Sequence, residues 1–160
     1  MDMDMTLAEA LVERKACKAR IESLQGRLAV NARVQEGDSP AEQPAGLLAE
    51  VERAVSDMER LIVAINRTNV ATLLLGDESM TLMEAIARRD MLALRQAVLE
   101  APLKAATTTR ERWAYTRSEV RTQATVDVAE MQKEVDSLAK ARRELDTRLQ
   151  AANWNTKLIA

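Results

Sequence analysis

Between residues 128 and 152 the apolar side chains fall alternately three and four positions apart. They are Val128, Met131, Val135, Leu138, Leu145, Leu149 and Ala152, with Arg142 holding the one polar step. Only an α-helix places positions with that spacing on one side, and so narrow a stripe is buried best against another helix. A second stripe runs through Leu48, Val51, Val55, Met58, Ile62 and Ile65 to Asn69, with Glu50, Glu52, Arg53, Asp57, Glu59 and Arg60 off it. The chain is therefore expected to be mainly α. Long antiparallel helical hairpins with heptad seams would pack as a four-helix, coiled-coil-like body.

Composition agrees with that reading. Aromatic residues make up 2% of the 160 and there is no Phe, so any core must be Leu, Ile, Val, Met and Ala. Unbranched side chains and Ala lose little rotamer freedom in a helix, and four Gly and three Pro interrupt few of them. The chain has no His, which excludes a Ser-His-Asp triad, a Cys-His pair, imidazole metal ligation and a His proton shuttle. Carboxylate-bridged metal in a helical bundle normally pairs each Glu with a His three residues on. No metal and no cofactor is expected, nor an enzymatic role, and no small-molecule substrate is evident.

The single Cys17 excludes an internal disulfide and suits a reducing compartment. The Met-Asp-Met-Asp-Met start lacks the basic residues and apolar stretch of a secretory signal. The longest apolar run, residues 61–65, is far short of the about 20 needed to cross a bilayer. These features point to the cytoplasm and away from a membrane. A formal net charge of −2 gives no general attraction to nucleic acid or anionic lipid.

Local signals set the boundaries. Thr6 and Glu9 read as a capping box that opens a helix through Leu7, Leu11, Ile21, Leu24 and Leu28, ending near Ala32 or Val34. Residues 35–46 hold Gly37, Pro40, Pro44 and Gly46 and read as a loop before the stripe that starts at Leu48. Residues 73–75 and 80–82 flank Gly76-Asp77-Glu78-Ser79 as two short extended pieces, one small β-hairpin. Thr81 and Glu84 form a second capping box for a helix using Leu82, Ile86, Leu94 and Val98, which should stop or kink at Pro102. Residues 103–126, rich in Thr, read as a loop with extended stretches; Asp127 with Glu130 then caps the last helix.

One domain of 1–160 accommodates these elements. Met5-Thr6-Leu7-x-Glu9-Ala10-Leu11-x-x-Arg14 recurs as Met80-Thr81-Leu82-x-Glu84-Ala85-Ile86-x-x-Arg89, so residues 5–69 and 80–156 read either as an internal repeat or as two capped helices that look alike.

Several stretches resemble a family of uncharacterised bacterial proteins, some labelled septicolysin. These are Asn31-Ala32-Arg33-Val34-Gln35-Glu36-Gly37, Ile65-Asn66-Arg67-Thr68-Asn69, residues 81–90, and the stretch from Thr125-Val126-Asp127-Val128 through Arg143-Glu144-Leu145-Asp146 to Asn153-Trp154, so that the resemblance covers nearly the whole length. The resemblance implies a helical bacterial protein without an established activity. It offers no catalytic residues. A membrane-active lysin, which the label suggests, finds no spanning segment in the sequence.

Two clusters invite a site. Arg110, Arg112, Trp113, Tyr115, Arg117 and Arg121 interleave basic and aromatic side chains, as in surfaces that grip single-stranded nucleic acid. Glu111 and Glu119 dilute that pattern, and such residues equally suit a protein interface. Asn66, Arg67, Thr68 and Asn69 form a polar motif where the stripe runs out, suited to a ligand or, more simply, to ending a helix and fixing register. Trp154 with Leu158 and Ile159 is expected to pin the C-terminus, and Arg142 to snorkel or pair with a carboxylate. The leading expectation is a non-enzymatic protein that self-assembles into a homo-oligomer through its helix seams. The alternative is a binding module whose basic-aromatic loop takes nucleic acid or an acidic partner.

Overall fold

A computed structural model of the chain describes residues 4–108 and 123–159. Four long helices and one two-stranded antiparallel sheet follow one another as α1 (Leu7–Asn31), α2 (Pro44–Ala71), β1 (Leu73–Leu74), β2 (Asp77–Thr81), α3 (Leu82–Thr107) and α4 (Val128–Asn155). The mainly α class expected from spacing forms, with the small hairpin expected from its turn residues, although residues 77–79 of the expected turn belong to β2. The residues divide into two compact units. One takes in the chain up to Met83 together with its last stretch from Gln150; the other covers Glu84–Leu149.

In the first unit, α1 opens on the capping box read from the sequence. Thr6 Oγ1 accepts from the Glu9 amide at 3.2 Å while the Thr6 amide donates to Glu9 Oε2 at 2.7 Å. These bonds satisfy donors that the first helical turn leaves orphaned, and they hold the Glu9 carboxyl below its usual range. α1 and α2 then pack antiparallel. Leu24, Leu47 and Ala54 are buried together, with Ile21, Leu28 and Val51 packed against them. Arg20 meets Glu50 at 3.7 Å higher up the pair.

The turn end of this hairpin is tied by polar groups. Asn31, itself buried, donates to the Arg27 carbonyl at 2.9 Å and accepts from the Glu42 amide at 3.0 Å. Arg27 Nε donates to Glu42 Oε2 at 2.9 Å, and a second guanidinium nitrogen reaches Oε1, a two-point contact that suits the planar fork of Arg. Gly37 takes a φ of 91°, open to Gly at little steric cost. α2 starts at Pro44, inside the residues 35–46 expected to be loop, because Pro at the first helical position lacks only an amide that would have no helical partner.

The buried face of α2 differs from the expected one. Leu47, Ala54, Leu61, Ile65 and Thr68 are buried and Val51 and Met58 half-buried, whereas Leu48 and Val55 are exposed by nearly half their surface. The observed seam keeps the alternation of three and four but is turned by one residue at every other step. Adjacent pairs such as Leu47-Leu48 and Ala54-Val55 let periodicity alone fit either, and Ala54 is the smaller of its pair, so it allows α1 closer.

After α2, Leu75 and Gly76 turn the chain between β1 and β2, with Gly76 at a φ of 77°. Leu73 pairs with Thr81 and Leu74 with Asp77, with an irregularity between. The hairpin buries Leu74 and delivers Leu82, whose amide donates to the Thr72 carbonyl at 2.9 Å.

In the second unit, Glu84–Leu149, the expectations from spacing hold on one helix and fail on the other. α4 is capped by Asp127, whose carboxylate accepts from the Glu130 amide at 3.0 Å, and it buries Val135, Leu145 and Leu149 with Leu138 and Arg142 half-buried, as expected. α3 does not stop at Pro102 but continues to Thr107, so residues 103–107 of the expected loop are helical. The carbonyl that Pro102 leaves without a donor belongs to exposed Val98, where water reaches it, and continuing the helix buries Leu103. Arg89 early in α3 meets Asp146 late in α4 at 3.6 Å, and Ala93 shares a recess with Arg142, so the two helices run antiparallel.

Two outcomes check this packing. Leu47→Ala should cost about 2–5 kcal/mol in urea unfolding, as other buried Leu truncations do, while Leu48→Ala should stay within about 0.5 kcal/mol. The Glu42 carboxyl is held below its usual range, first by the Arg27 hydrogen bond. Its contribution is therefore present above the unfolded value and lost as pH falls through the folded one. The urea midpoint should drop as pH falls below the ordinary glutamate range, and Glu42→Gln should flatten that part of the profile.

Candidate interaction surface

The polar motif at the end of α2 does not converge on a ligand. Thr68 is fully buried: its hydroxyl donates to the Ala64 carbonyl at 2.8 Å and accepts from the Ile159 amide at 2.9 Å. Asn66 and Arg67 are exposed, and Asn69 is half-buried with its Oδ1 buried and unpaired. The motif is thus split between solvent and a clamp on the C-terminal residues. Other bonds complete that clamp. The Leu7 amide donates to the Thr156 carbonyl and the Leu158 amide to the Met5 carbonyl, while Lys157 Nζ reaches Asp4 Oδ1 at 2.8 Å and holds that carboxyl below its usual range. Trp154, expected to pin this end, is exposed instead; backbone pairing does the pinning. The second cluster, Arg110, Arg112, Trp113, Tyr115, Arg117 and Arg121, lies outside the described residues.

A groove between α1 and α2, about 320 Å³, has Cys17 in its wall with Glu13, Arg20, Asp57 and Arg60 around it. Burial first, then the carboxylates of Glu13 and Asp57, pushes the Cys17 thiol up, so it is kept protonated rather than poised as a nucleophile. Both of the groove's guanidiniums are paired, Arg60 with Asp57 inside it and Arg20 with Glu50 beyond its lining. Among the described residues no group of three or more His, Cys, Asp or Glu could hold a metal ion, and no helix is long and apolar enough to cross a membrane.

The most pronounced surface feature is on α3. Its inward stripe is Ala85, Arg89, Leu92, Gln96, Leu99 and Leu103, all buried or half-buried; its outward stripe is Ala87, Met91, Leu94, Val98, Ala101 and Ala105, all exposed. Both alternate by three and four. The outward one is wholly apolar, while the inward one contains Arg89 and Gln96. Spacing therefore pointed to Leu94 and Val98 as buried, whereas they are 55% and 61% exposed. The physical reason lies across the hairpin: Arg89 finds Asp146 on α4, a partner that sequence spacing within α3 does not show. The signal for a two-faced helix is nevertheless present in the sequence, since two interleaved heptads in one segment cannot both face α4.

A family of unknown function, DUF6847, matches residues 14–158. The chain belongs to that family. It is also similar to a functionally unknown conserved protein from Corynebacterium diphtheriae, known from a crystal structure, with 38% sequence identity, a TM-score of 0.87, and coverage of 98% of this chain and 99% of that one. No curated protein matches. The coarser half of the resemblance, a family without assigned activity, therefore stands, and the septicolysin label finds no support.

Replacing Thr68 by Val should leave the Ile159 amide without its acceptor. Faster hydrogen exchange at residues 157–159, with a loss of about 1 kcal/mol in stability, is the expected outcome, whereas Asn66→Ala and Arg67→Ala should leave both unchanged.

Proposed function

We propose that the chain is a non-enzymatic assembly protein whose α3 pairs with α3 of a second copy through the outward stripe. The observation that carries this is the stripe itself: six successive heptad positions, exposed and apolar, over about 27 Å of helix at 1.5 Å per residue. A continuous apolar stripe of that length is buried best against another helix.

A second copy suits the order of residues on it. Placed antiparallel about Gln96, Ala87 falls opposite Ala105, Met91 opposite Ala101 and Leu94 opposite Val98, so the largest side chain meets a small one and the stripe complements itself. That is what a two-fold interface requires, since the same patch serves both partners. A parallel arrangement would set Met91 on Met91 and leave gaps at three alanines. No charge sits on the six positions to oppose the pairing. The unpaired thiol of Cys17 accords with a cytoplasmic setting for such an assembly.

Light scattering on the eluted chain should give twice 17.8 kDa at micromolar concentration, and Leu94→Glu should give the single-chain mass with helix content by circular dichroism unchanged. A single-chain mass for the wild type, or a dimer that survives Leu94→Glu, would overturn the reading.

A further inference from the structure

The inward stripe of α3 leads to a second surface. In the second unit, Arg89 and Ala93 of α3 and Arg142, Arg143 and Asp146 of α4 line a recess of about 260 Å³. Three guanidiniums line it with the carboxylate of Asp146, and Arg142 and Arg143 are the two that no ion pair among the described residues engages. Arg89 is already shared, 2.8 Å from Asp90 and 3.6 Å from Asp146. Arg142 differs from it. It occupies a seam position of α4, is half-buried, and among the described residues has no hydrogen-bond or ion-pair partner.

Partly desolvating a guanidinium costs free energy that an opposing charge normally offsets. No carboxylate of the recess does so for Arg142, because Asp146 is turned to Arg89. Arg143, one residue on, is exposed and brings a second guanidinium to the mouth. A planar fork offering parallel N–H donors matches the oxygens of a phosphoryl group, and two such forks, neither engaged in an ion pair, match a dianion.

We infer that this recess binds a phosphate monoester dianion, with Arg142 and Arg143 as its direct ligands and Arg89 held beside them by Asp146. The site lies within one helical hairpin and is independent of the pairing of two chains. Its ligand is either a free monoester or the monoester headgroup of a lipid, which share the same terminal group.

The test is a titration of the full chain with inorganic phosphate at constant ionic strength, followed by the arginine Nε–Hε resonances and by the thermal midpoint. Binding of phosphate to the folded state should raise the midpoint saturably and shift the resonances of Arg142 and Arg143 together. Arg142→Met should weaken binding at least tenfold and Arg143→Gln several-fold, while Arg95→Gln, outside the recess, should leave it unchanged. Arg142→Met removes a half-buried charge from a seam and should still fold, which circular dichroism verifies. Glycerol 3-phosphate binding with the same pattern assigns a free monoester. Sedimentation with phosphatidic acid vesicles, lost in Arg142→Met and not competed by glycerol 3-phosphate, assigns the headgroup. A response equal to that of sodium chloride, or one that Arg142→Met retains, overturns the site.

Discussion

The first unit depends on one buried hydroxyl. Thr68 closes its own helix by donating to the Ala64 carbonyl and receives the Ile159 amide from the far end of the chain. A buried polar group is tolerated only when it is paired, and this one is paired on both sides, which makes it a fixed point rather than a defect. Around it the last residues run back along the first, through Thr6 opposite Lys157 and the Leu7 and Leu158 amides. The start of α1, the end of α2 and the C-terminus are thereby set against one another, and the α1/α2 hairpin grows outward from that junction to its polar latch at Asn31, Arg27 and Glu42.

That junction explains why the polar motif misleads when read alone. Asn66, Arg67, Thr68 and Asn69 look like a cluster because they are adjacent in sequence, but a helix turns each by about 100°. Thr68 therefore goes inward, Asn66 and Arg67 outward, and Asn69 lies between. The same rotation accounts for the seam of α2. Where two apolar residues sit side by side, the pattern permits two faces about 100° apart, and the fit against α1 decides. α4 is legible where its seam residues have polar neighbours on both sides: Val135, Leu145 and Leu149 stand apart from other apolar residues, and the burial follows them. The capping residues Thr6 and Asp127 were legible for a related reason, since their bonds reach only three residues along the chain.

α3 shows what periodicity lacks. Both of its stripes satisfy the same spacing, and hydrophobicity ranks them in the order opposite to burial. Intramolecular packing selected the stripe with Arg89 and Gln96 because α4 offers Asp146 to the first, while Gln96 donates to Glu100 on its own helix and keeps a buried oxygen without a partner. A seam containing such groups is less stabilising than an apolar one of equal length, since each must be desolvated before it is paired.

If burial of apolar surface alone decided the arrangement, α3 would turn its outer stripe to α4 and leave Arg89 and Gln96 in water. The observed choice costs stability within the chain and gains two features at once: a continuous apolar face outside, and guanidinium groups gathered inside a recess. Polar groups retained on a packed seam at such a cost are commonly those that set register or serve a ligand. Here Arg89 does the first through Asp146. Arg142, with no protein partner among the described residues, is suited to the second. The outer face and the inner recess are then two consequences of one rotational choice in α3, the first being the surface on which the proposed pairing of two copies rests and the second the one on which the proposed anion site rests.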